Sequence, residues 1–370
     1  MPDKRPEPAA AADPAALDQL RARVDQIDDK ILALLNERAQ LSIEIGHAKS
    51  SVARAGHAAY DPAREAQVYQ RLLERSAGPL PADAVRAIYG QIISSSRSLQ
   101  APLKVTFLGP EATFSHQAAL AQFGSATALI PVASIPDVFR ETEAGRSDYG
   151  IVPIENSTEG PVTFTLDTFV DSELKACAEF RLEIHEALMS RCTLAEVTVV
   201  YSHPQAIGQC RNWLRTHLPK ATLVETASTV AAAAQAAREA NAAAIGPELA
   251  AAAYGLKVLE PRIQDAAGNV TRFLVIGPRW AQRSGRDRMA MLFSIKDRVG
   301  VLRDVLALFA SAGINLTKIE SRPSKRRAWD YLFFVDLNAH PEDPTVVQAL
   351  RELQELTVFS KVIGAWPRTD

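Results

Sequence analysis

The sequence predicts a multidomain chain of three unlike parts: an all-α three-helix unit that dimerises as a helical bundle, a two-lobed α/β unit, and a small α+β unit. Three observations carry this. Apolar residues recur at alternating spacings of three and four from Leu17 onward. Short strands alternate with helices from Leu103 and the same alternation resumes at Val197. From Met289 the pattern reads strand, helix, strand, strand, helix, strand. A chain of 370 residues has room for two to four domains.

Composition narrows the class. Hydrophobic residues at 47% and charged residues at 23% are ordinary for a globular protein. A formal net charge of -2 gives no electrostatic reason for nucleic acid or membrane as a partner. Cys177, Cys192 and Cys210 are too few and too scattered for a disulfide framework or a zinc site, which fits a cytoplasmic location. No run approaches the roughly 18 apolar residues of a membrane span. Residues 1–13, rich in Pro, Ala and charge but without the apolar core of a signal peptide, are expected as a disordered tail.

The first element is a long helix. Leu17, Leu20, Val24, Ile27, Ile31 and Leu34, continued by Leu41, Ile45 and Ala48, form one apolar stripe about 50 Å long. A helix of that length outgrows a small domain, so the stripe predicts a homodimer; assembly beyond the dimer is left open. Arg38 takes a stripe position, where a guanidinium needs an anion or an escape to solvent. Lys49 lies close to three turns further and shares its face, whereas Arg21 reaches that face only from an antiparallel partner. Residues 50–60 read as a loop. Asp61 as N-cap and Pro62 at N1 start a second helix that carries Arg64 and Glu65. Capping and surface pairing are the plain reading of Asp61 and Arg64. After the break at Gly78-Pro79, a third helix runs to about Gln100, with Ser96 one turn before its end.

Over residues 14–101 this pattern resembles the all-helical class of chorismate mutase, through Leu20-Arg21, Glu37-Arg38, Gly46-His47-Ala48-Lys49, Asp61, Arg64-Glu65, and Ser96 with Gln100. The resemblance implies rearrangement of chorismate to prephenate within one molecule, with no nucleophile, metal or cofactor. Such a site holds a dicarboxylate in its compact conformer and stabilises charge on the breaking ether oxygen. It assigns carboxylate contacts to Arg38, Ser96 and the partner-derived Arg21, with Arg64 in support. Lys49 and Gln100 fall to the ether oxygen, and Asp61 and Glu65 to the ring hydroxyl. The loop between Lys49 and Asp61 is longer here than in the family pattern, which loosens the placement of Asp61.

The middle unit, residues 103–280, begins with strands at Val105–Gly109, Thr127–Val132 and Asp148–Glu155, and helices near Ser115–Phe123 and Ile135–Ala144. Further strands follow at Val197–Tyr201, Ala221–Glu225 and Ala242–Ile245. A final strand, Phe273–Gly277, is expected to cross back to the first lobe. This predicts two lobes with a cleft between strand ends. The loops there carry Gly109-Pro110-Glu111-Ala112-Thr113-Phe114-Ser115, Ile154-Glu155-Asn156-Ser157, Tyr201-Ser202-His203-Pro204-Gln205, and Asn269-Val270-Thr271-Arg272-Phe273. Together these resemble prephenate dehydratase, whose two-lobed fold is like that of periplasmic binding proteins, with Ala112 standing where the family pattern has Gly. The resemblance implies loss of carbon dioxide and water from prephenate. Aromatisation drives that reaction, so a donor near the leaving oxygen in a water-excluding site suffices. It assigns that donor to Thr271, a carboxylate contact to Arg272, orientation to Asn156, Ser157, Ser202 and Gln209, and a place beside them to Phe273. His203 precedes Pro204 and reads as the start of a helix rather than as an acid.

Residues 281–288 read as a polar, basic linker. The unit from 289 to 370 then has the ferredoxin-like order, with strands at Met289–Ile295, Ile314–Ser321, Tyr331–Leu337 and Thr357–Ala365 and helices at Val301–Ala312 and Thr345–Leu356. It resembles the ACT domain, a common amino-acid sensor. By that resemblance Gly300, Val301 and Leu302, Asn315 and Leu316, and Glu320, Ser321, Arg322 and Pro323 would bind phenylalanine as an allosteric effector. Val301 replaces the usual Ala. The chain as a whole thus reads as a bifunctional, phenylalanine-inhibited enzyme of phenylalanine biosynthesis. The alternatives are a non-catalytic sensor of aromatic metabolites, or a dehydratase whose helices only dimerise.

Overall fold

The computed structural model describes residues 14–51, 60–323 and 331–368. The expected tail at 1–13 and most of the loop at 50–60 lie outside them. Helix α1 (Pro14–Ser51) runs unbroken, because only Gly46 interrupts its strong helix formers. Helices α2 (Pro62–Arg75) and α3 (Ala82–Gln100) follow, and α3 lies along α1. Gly46 permits their approach: a Cβ there would stand 3.1 Å from the Gln100 backbone. The rest of the α1 stripe, from Leu17 through Leu20, Val24, Ile27, Ile31 and Leu34 to Leu41 and Ile45, is exposed.

The first lobe comprises β1 (Lys104–Leu108), α4 (Phe114–Phe123), β2 (Ala128–Val132), α5 (Ile135–Glu143), β3 (Tyr149–Asn156), β4 (Gly160–Pro161), α6 (Thr163–Asp171) and β5 (Lys175–Glu183). The second holds β6 (Ala187–Ser190), β7 (Val199–Ser202), α7 (Pro204–Gln209), α8 (Arg211–His217), β8 (Thr222–Glu225), α9 (Thr229–Ala236), β9 (Ala242–Gly246), α10 (Glu248–Tyr254) and β10 (Lys257–Glu260). Strand β11 (Val270–Gly277) then returns to the first lobe between β3 and β5. The second lobe has its own sheet, in the order β10-β6-β9-β7-β8. Ala112 explains the glycine of the family pattern: it is buried at φ 64°, a left-handed conformation that strains any residue with a Cβ.

The C-terminal unit is β12 (Asp287–Ile295), α11 (Val301–Ser311), β13 (Asn315–Pro323), β14 (Tyr331–Asn338), α12 (Pro344–Leu356) and β15 (Thr357–Pro367), with strands in the order β13-β14-β12-β15. That is the ferredoxin-like arrangement expected. The sheet does not stop there. Gly364 of β15 pairs in parallel with Ala176 of β5, so the sheet continues through β5, β11, β3 and β1 to β2. A Cβ at Gly364 would lie 2.3 Å from the Ala176 carbonyl oxygen. Trp366 is buried in the same seam, where its Nε1 donates to Glu179 Oε2 at 3.1 Å.

The polar stretch 281–288 is not wholly linker, because β12 starts at Asp287 and buries Arg288, whose Nη1 donates to Glu179 Oε2 at 3.0 Å. Strand β5 has no counterpart among the strands that the sequence predicts. Lys175, Glu179, Arg181 and Glu183 break up its apolar pattern, and the distant partners of Glu179 are Arg272, Arg288 and Trp366.

Candidate active sites

Helices α1 and α3 bring the first group together. Arg38, on the buried side of α1, donates through Nη1 to the Ile92 carbonyl at 3.3 Å and to the Ser96 hydroxyl. Ser96 in turn donates to Ile92 O at 2.7 Å, so the guanidinium and the hydroxyl are fixed against one turn of α3. One turn on, the Gln100 side-chain oxygen is buried with no hydrogen-bond partner. The half-buried guanidinium suits an anionic group, whereas the Gln100 oxygen, an acceptor, calls for a donor. Lys49 is half-buried on the same helix. Arg21 stays exposed at the far end of α1 and pairs with Asp18 at 3.3 Å, so this chain alone does not bring it to the group.

The α2 residues behave differently. Asp61 caps α2 by accepting from the Arg64 backbone N–H at 3.0 Å, and the exposed Arg64 side chain donates to Gln67 at 3.4 Å. Both follow the capping and surface-pairing reading in this chain. Glu65 turns to Arg97, 2.7 Å away, which no spacing in the sequence announced. Arg97 is almost fully buried, donates to the Phe123 carbonyl at 3.0 Å and lies over the Tyr60 and Phe123 rings. It therefore ties the helical unit to α4. Burial pushes the Glu65 carboxyl up to about 7, against the pull of Arg97.

The second group lies in the cleft between the lobes, about 420 Å³ in volume. Thr271 on β11 sits opposite Asn156 on β3, and Asn156 Nδ2 donates to Thr271 Oγ1 at 2.8 Å. The same amide donates to Asn269 Oδ1 at 2.7 Å, and Asn269 Nδ2 donates to Gln209 Oε1 at 3.0 Å. One hydrogen-bonded chain, Thr271–Asn156–Asn269–Gln209, thus crosses from the first lobe to the second. The orientation of Asn156 is fixed because its Oδ1 accepts from Thr158 N, Thr158 Oγ1 and Glu159 N at 2.9, 2.6 and 3.1 Å. Thr271 Oγ1 is therefore an acceptor toward Asn156, and its own proton remains available to the cleft. Phe273, two residues on and so on the same face, closes the buried end of the cleft. Asn269 is not among the residues that the resemblance assigns to the site, yet it lies two residues before Thr271, and strand period two puts it on the same face.

The first turns of α4 and α9 and the N-cap of α6 also line the cleft, through Phe114 and Ser115, Ser228 and Thr229, and Val162. Among the described residues lining it there is no Lys or Arg, so those helix N-termini carry the positive potential for an anion. His203 caps α7, accepting from Gln205 N at 3.4 Å.

Three expected cleft residues are elsewhere. Ser202 is fully buried and donates to Ile245 O at 2.8 Å, which ties β7 to β9. Ser157 donates to Gly268 O at 3.1 Å and accepts from Val270 N at 2.9 Å, and so holds the turn that leads into β11. Arg272 faces away from the cleft, as strand alternation requires. Its guanidinium meets Asp336 of β14 at 2.6 Å, Glu179 of β5 at 3.0 Å and Glu155 of β3 at 3.8 Å. Lys318 of β13 joins the cluster at Glu155, 2.7 Å away. The cluster docks the C-terminal unit on the back of the strand that carries Thr271.

In the C-terminal unit, Gly300 is the N-cap of α11 at φ 81°, with Val301 buried behind it and Leu302 half-buried. Asn315, Leu316, Glu320, Ser321, Arg322 and Pro323 all lie on β13, the outermost strand of the sheet. Arg322 reaches Asp167 of α6 at 3.3 Å and donates to Thr163 O at 3.1 Å.

Family models match in the same order: chorismate mutase type II over residues 20–101, prephenate dehydratase over 105–280 and the ACT domain over 290–355. The chain is 45% identical to a bifunctional chorismate mutase/prephenate dehydratase of Aquifex aeolicus, across 95% of this chain and 98% of that one. It is 39% identical to the protein of that name from Pseudomonas aeruginosa, across 96% and 99%. Among solved structures, it is similar to a prephenate dehydratase from Arthrobacter aurescens in complex with L-Phe. The TM-score is 0.66 and the identity 35%, over 72% of this chain and 91% of that one.

Proposed function

The chain belongs to the family of bifunctional chorismate mutase/prephenate dehydratases, and from that membership we propose that it performs two consecutive steps of phenylalanine biosynthesis. The helical unit rearranges chorismate to prephenate. The two-lobed unit then removes carbon dioxide and water to give phenylpyruvate.

In the helical unit, Arg38 and Ser96 hold a carboxylate, and Gln100 and Lys49 meet the ether oxygen as it gains charge. The exposed stripe on α1 supports a homodimer, in which Arg21 of the partner subunit completes each site. Glu65, Asp61 and Arg64 join the substrate only if they leave the partners they have in the free chain.

In the cleft, the helix N-termini receive the two carboxylates of prephenate and Thr271 donates to the departing hydroxyl. The observation that carries this reading is the hydrogen-bonded chain Thr271–Asn156–Asn269–Gln209. It leaves one oriented hydroxyl proton facing an anion-binding cleft, and it depends on both lobes being closed together. Phenylalanine acts through the ACT domain, by binding one arrangement of that domain better than another. The biosynthetic role of the relatives supports a cytoplasmic location.

Two substitutions test the assignment. Arg38→Ala removes mutase turnover and spares the turnover of supplied prephenate, and Thr271→Val does the reverse. Loss of both activities in either folded variant would refute two independent sites.

A further inference from the structure

The cleft contains a carboxyl group that the hydrogen-bonded chain does not use. Glu186 sits where the backbone passes from β5 to β6, and it lines the cleft with Asn156, Gln209, Asn269 and Thr271. Its residue is 3% exposed. Its backbone is held on both sides: the N–H donates to Gln264 Oε1 at 3.1 Å, and the carbonyl accepts from Ile263 N at 2.7 Å. The side chain is left over. Oε2 is buried with no hydrogen-bond partner, and no Lys or Arg lines the cleft among the described residues.

The surrounding groups offer no compensation. His185, next in the chain, pairs with Glu183 at 3.2 Å and faces Gln264 at 3.0 Å. Cys210 at the end of α7 is a buried thiol whose ionisation is opposed by burial, then by Glu186 and Asp265. The Asp265 carboxylate accepts from the Asn212 and Trp213 N–H groups at 2.8 and 3.0 Å. Across the cleft, His203 caps α7 and Glu159 is exposed beside β4. An unpaired carboxylate in such a place is expensive, whereas the neutral acid is tolerated. Burial alone accordingly pushes the Glu186 carboxyl up to about 7.

We propose that Glu186 is the general acid of the dehydratase and supplies the proton with which the ring hydroxyl leaves as water. The inference rests on the cleft being the prephenate site and adds the proton source that the site lacks. Thr271 can orient and polarise the leaving oxygen, but a hydroxyl has no accessible anion near neutral pH and cannot be the net donor. In the step itself, the bond between the ring and its carboxylate breaks and releases carbon dioxide. That electron pair enters the ring, the carbon–oxygen bond breaks, and the oxygen leaves with its pair and the Glu186 proton. The ring becomes aromatic. Glu186 remains as a carboxylate until solvent reprotonates it after product release, so each turnover consumes one proton.

The test is the pH dependence of kcat on supplied prephenate, measured with the full chain, Glu186→Gln and Glu186→Asp. The native protein should lose activity as pH rises through about 7 to 8, where the acid form is depleted. Glu186→Gln should lose on the order of 100-fold in kcat, with KM little changed and with the descending limb gone. Glu186→Asp should recover part of the rate together with the limb. The melting temperature of each variant, with its mutase turnover of chorismate, reports folding. A native profile flat from pH 6 to 9 would overturn the proposal without any variant, as would native kcat in Glu186→Gln. Native rates in Thr271→Val would instead remove the cleft reading itself; loss there with an unaffected Glu186→Gln would remove only the acid.

Discussion

Arg272 separates a substrate contact from a domain clasp, and its replacement by Met decides between them. The side chain is 12% exposed and pairs with Asp336, Glu179 and Glu155. Breaking a buried pair by removing one partner costs about 3 to 5 kcal/mol. Two of these acids keep other cations: Glu179 retains Arg288 at 3.0 Å and Arg181 at 2.8 Å, and Glu155 retains Lys318 at 2.7 Å. Asp336 loses the guanidinium that faced it, which puts the cost at the low end, about 3 kcal/mol. For a unit of 150 to 250 residues that corresponds to a fall in Tm on the order of 10 °C. The Thr271 hydroxyl is on the other face of the strand, so kcat/KM for prephenate should change less than about tenfold, a barrier change under about 1.4 kcal/mol. Phenylalanine inhibition should weaken, because the clasp links β14 to the strand that carries Thr271. Calorimetry and steady-state assays on the same preparation give both numbers. An unchanged Tm with a large loss of kcat/KM would mean that Arg272 holds the substrate and that the clasp is incidental.

Three further outcomes follow from the same geometry. Gln100→Glu should move mutase activity toward acid pH, because a carboxyl donates to the ether oxygen only when protonated; an unchanged profile removes Gln100 from that role. Gly364→Val should weaken the β15–β5 seam by about 1 to 3 kcal/mol through overpacking against Ala176, measured by denaturant unfolding, and a neutral result would mean that the seam is looser than described. Burial raises the Glu179 carboxyl, but Arg272, Arg288 and Arg181 outweigh it and hold the group below the usual range. Its stabilising contribution is therefore complete above the unfolded value of about 4.3 and is lost as pH falls through the folded value. Melting temperatures measured downward from pH 6 should show that acid loss, and Glu179→Gln should flatten it; an identical slope in both would refute the linkage.

The elements were legible wherever one period ran unbroken. The stripe of α1, the alternation in β14 and the helical face of α11 follow from Leu, Val and Phe spacing alone. Strand β5 escaped because Glu179 is an internal position disguised as a surface one. The three arginines that make its burial tolerable come from within β5 and from β11 and β12, and only the fold brings them together. The Glu65–Arg97 pair escaped for the same reason, since its members lie on different helices. Arg272 is the opposite case. Its adjacency to Thr271 looked like shared chemistry, yet period two already separated the two residues onto opposite faces. Asn269 and Glu186 show what a motif leaves out: the first is one alternation away from Thr271, and the second stands alone at a lobe crossing.

The pairing of Gly364 with Ala176 has a consequence for how this enzyme can be rebuilt. The linker looks like a natural cut point, and exchanging everything beyond it would be the obvious way to transplant a different effector response. Such a graft would bring a foreign final strand to β5 and a foreign partner to Arg272. Unless the incoming strand has Gly opposite Ala176 and the incoming sheet has an acid opposite Arg272, the hybrid would open along that line. The transferable cassette is therefore larger than the sensor and includes the outer faces of β5 and β11, so swaps that carry those faces should behave as one cooperative body on heating.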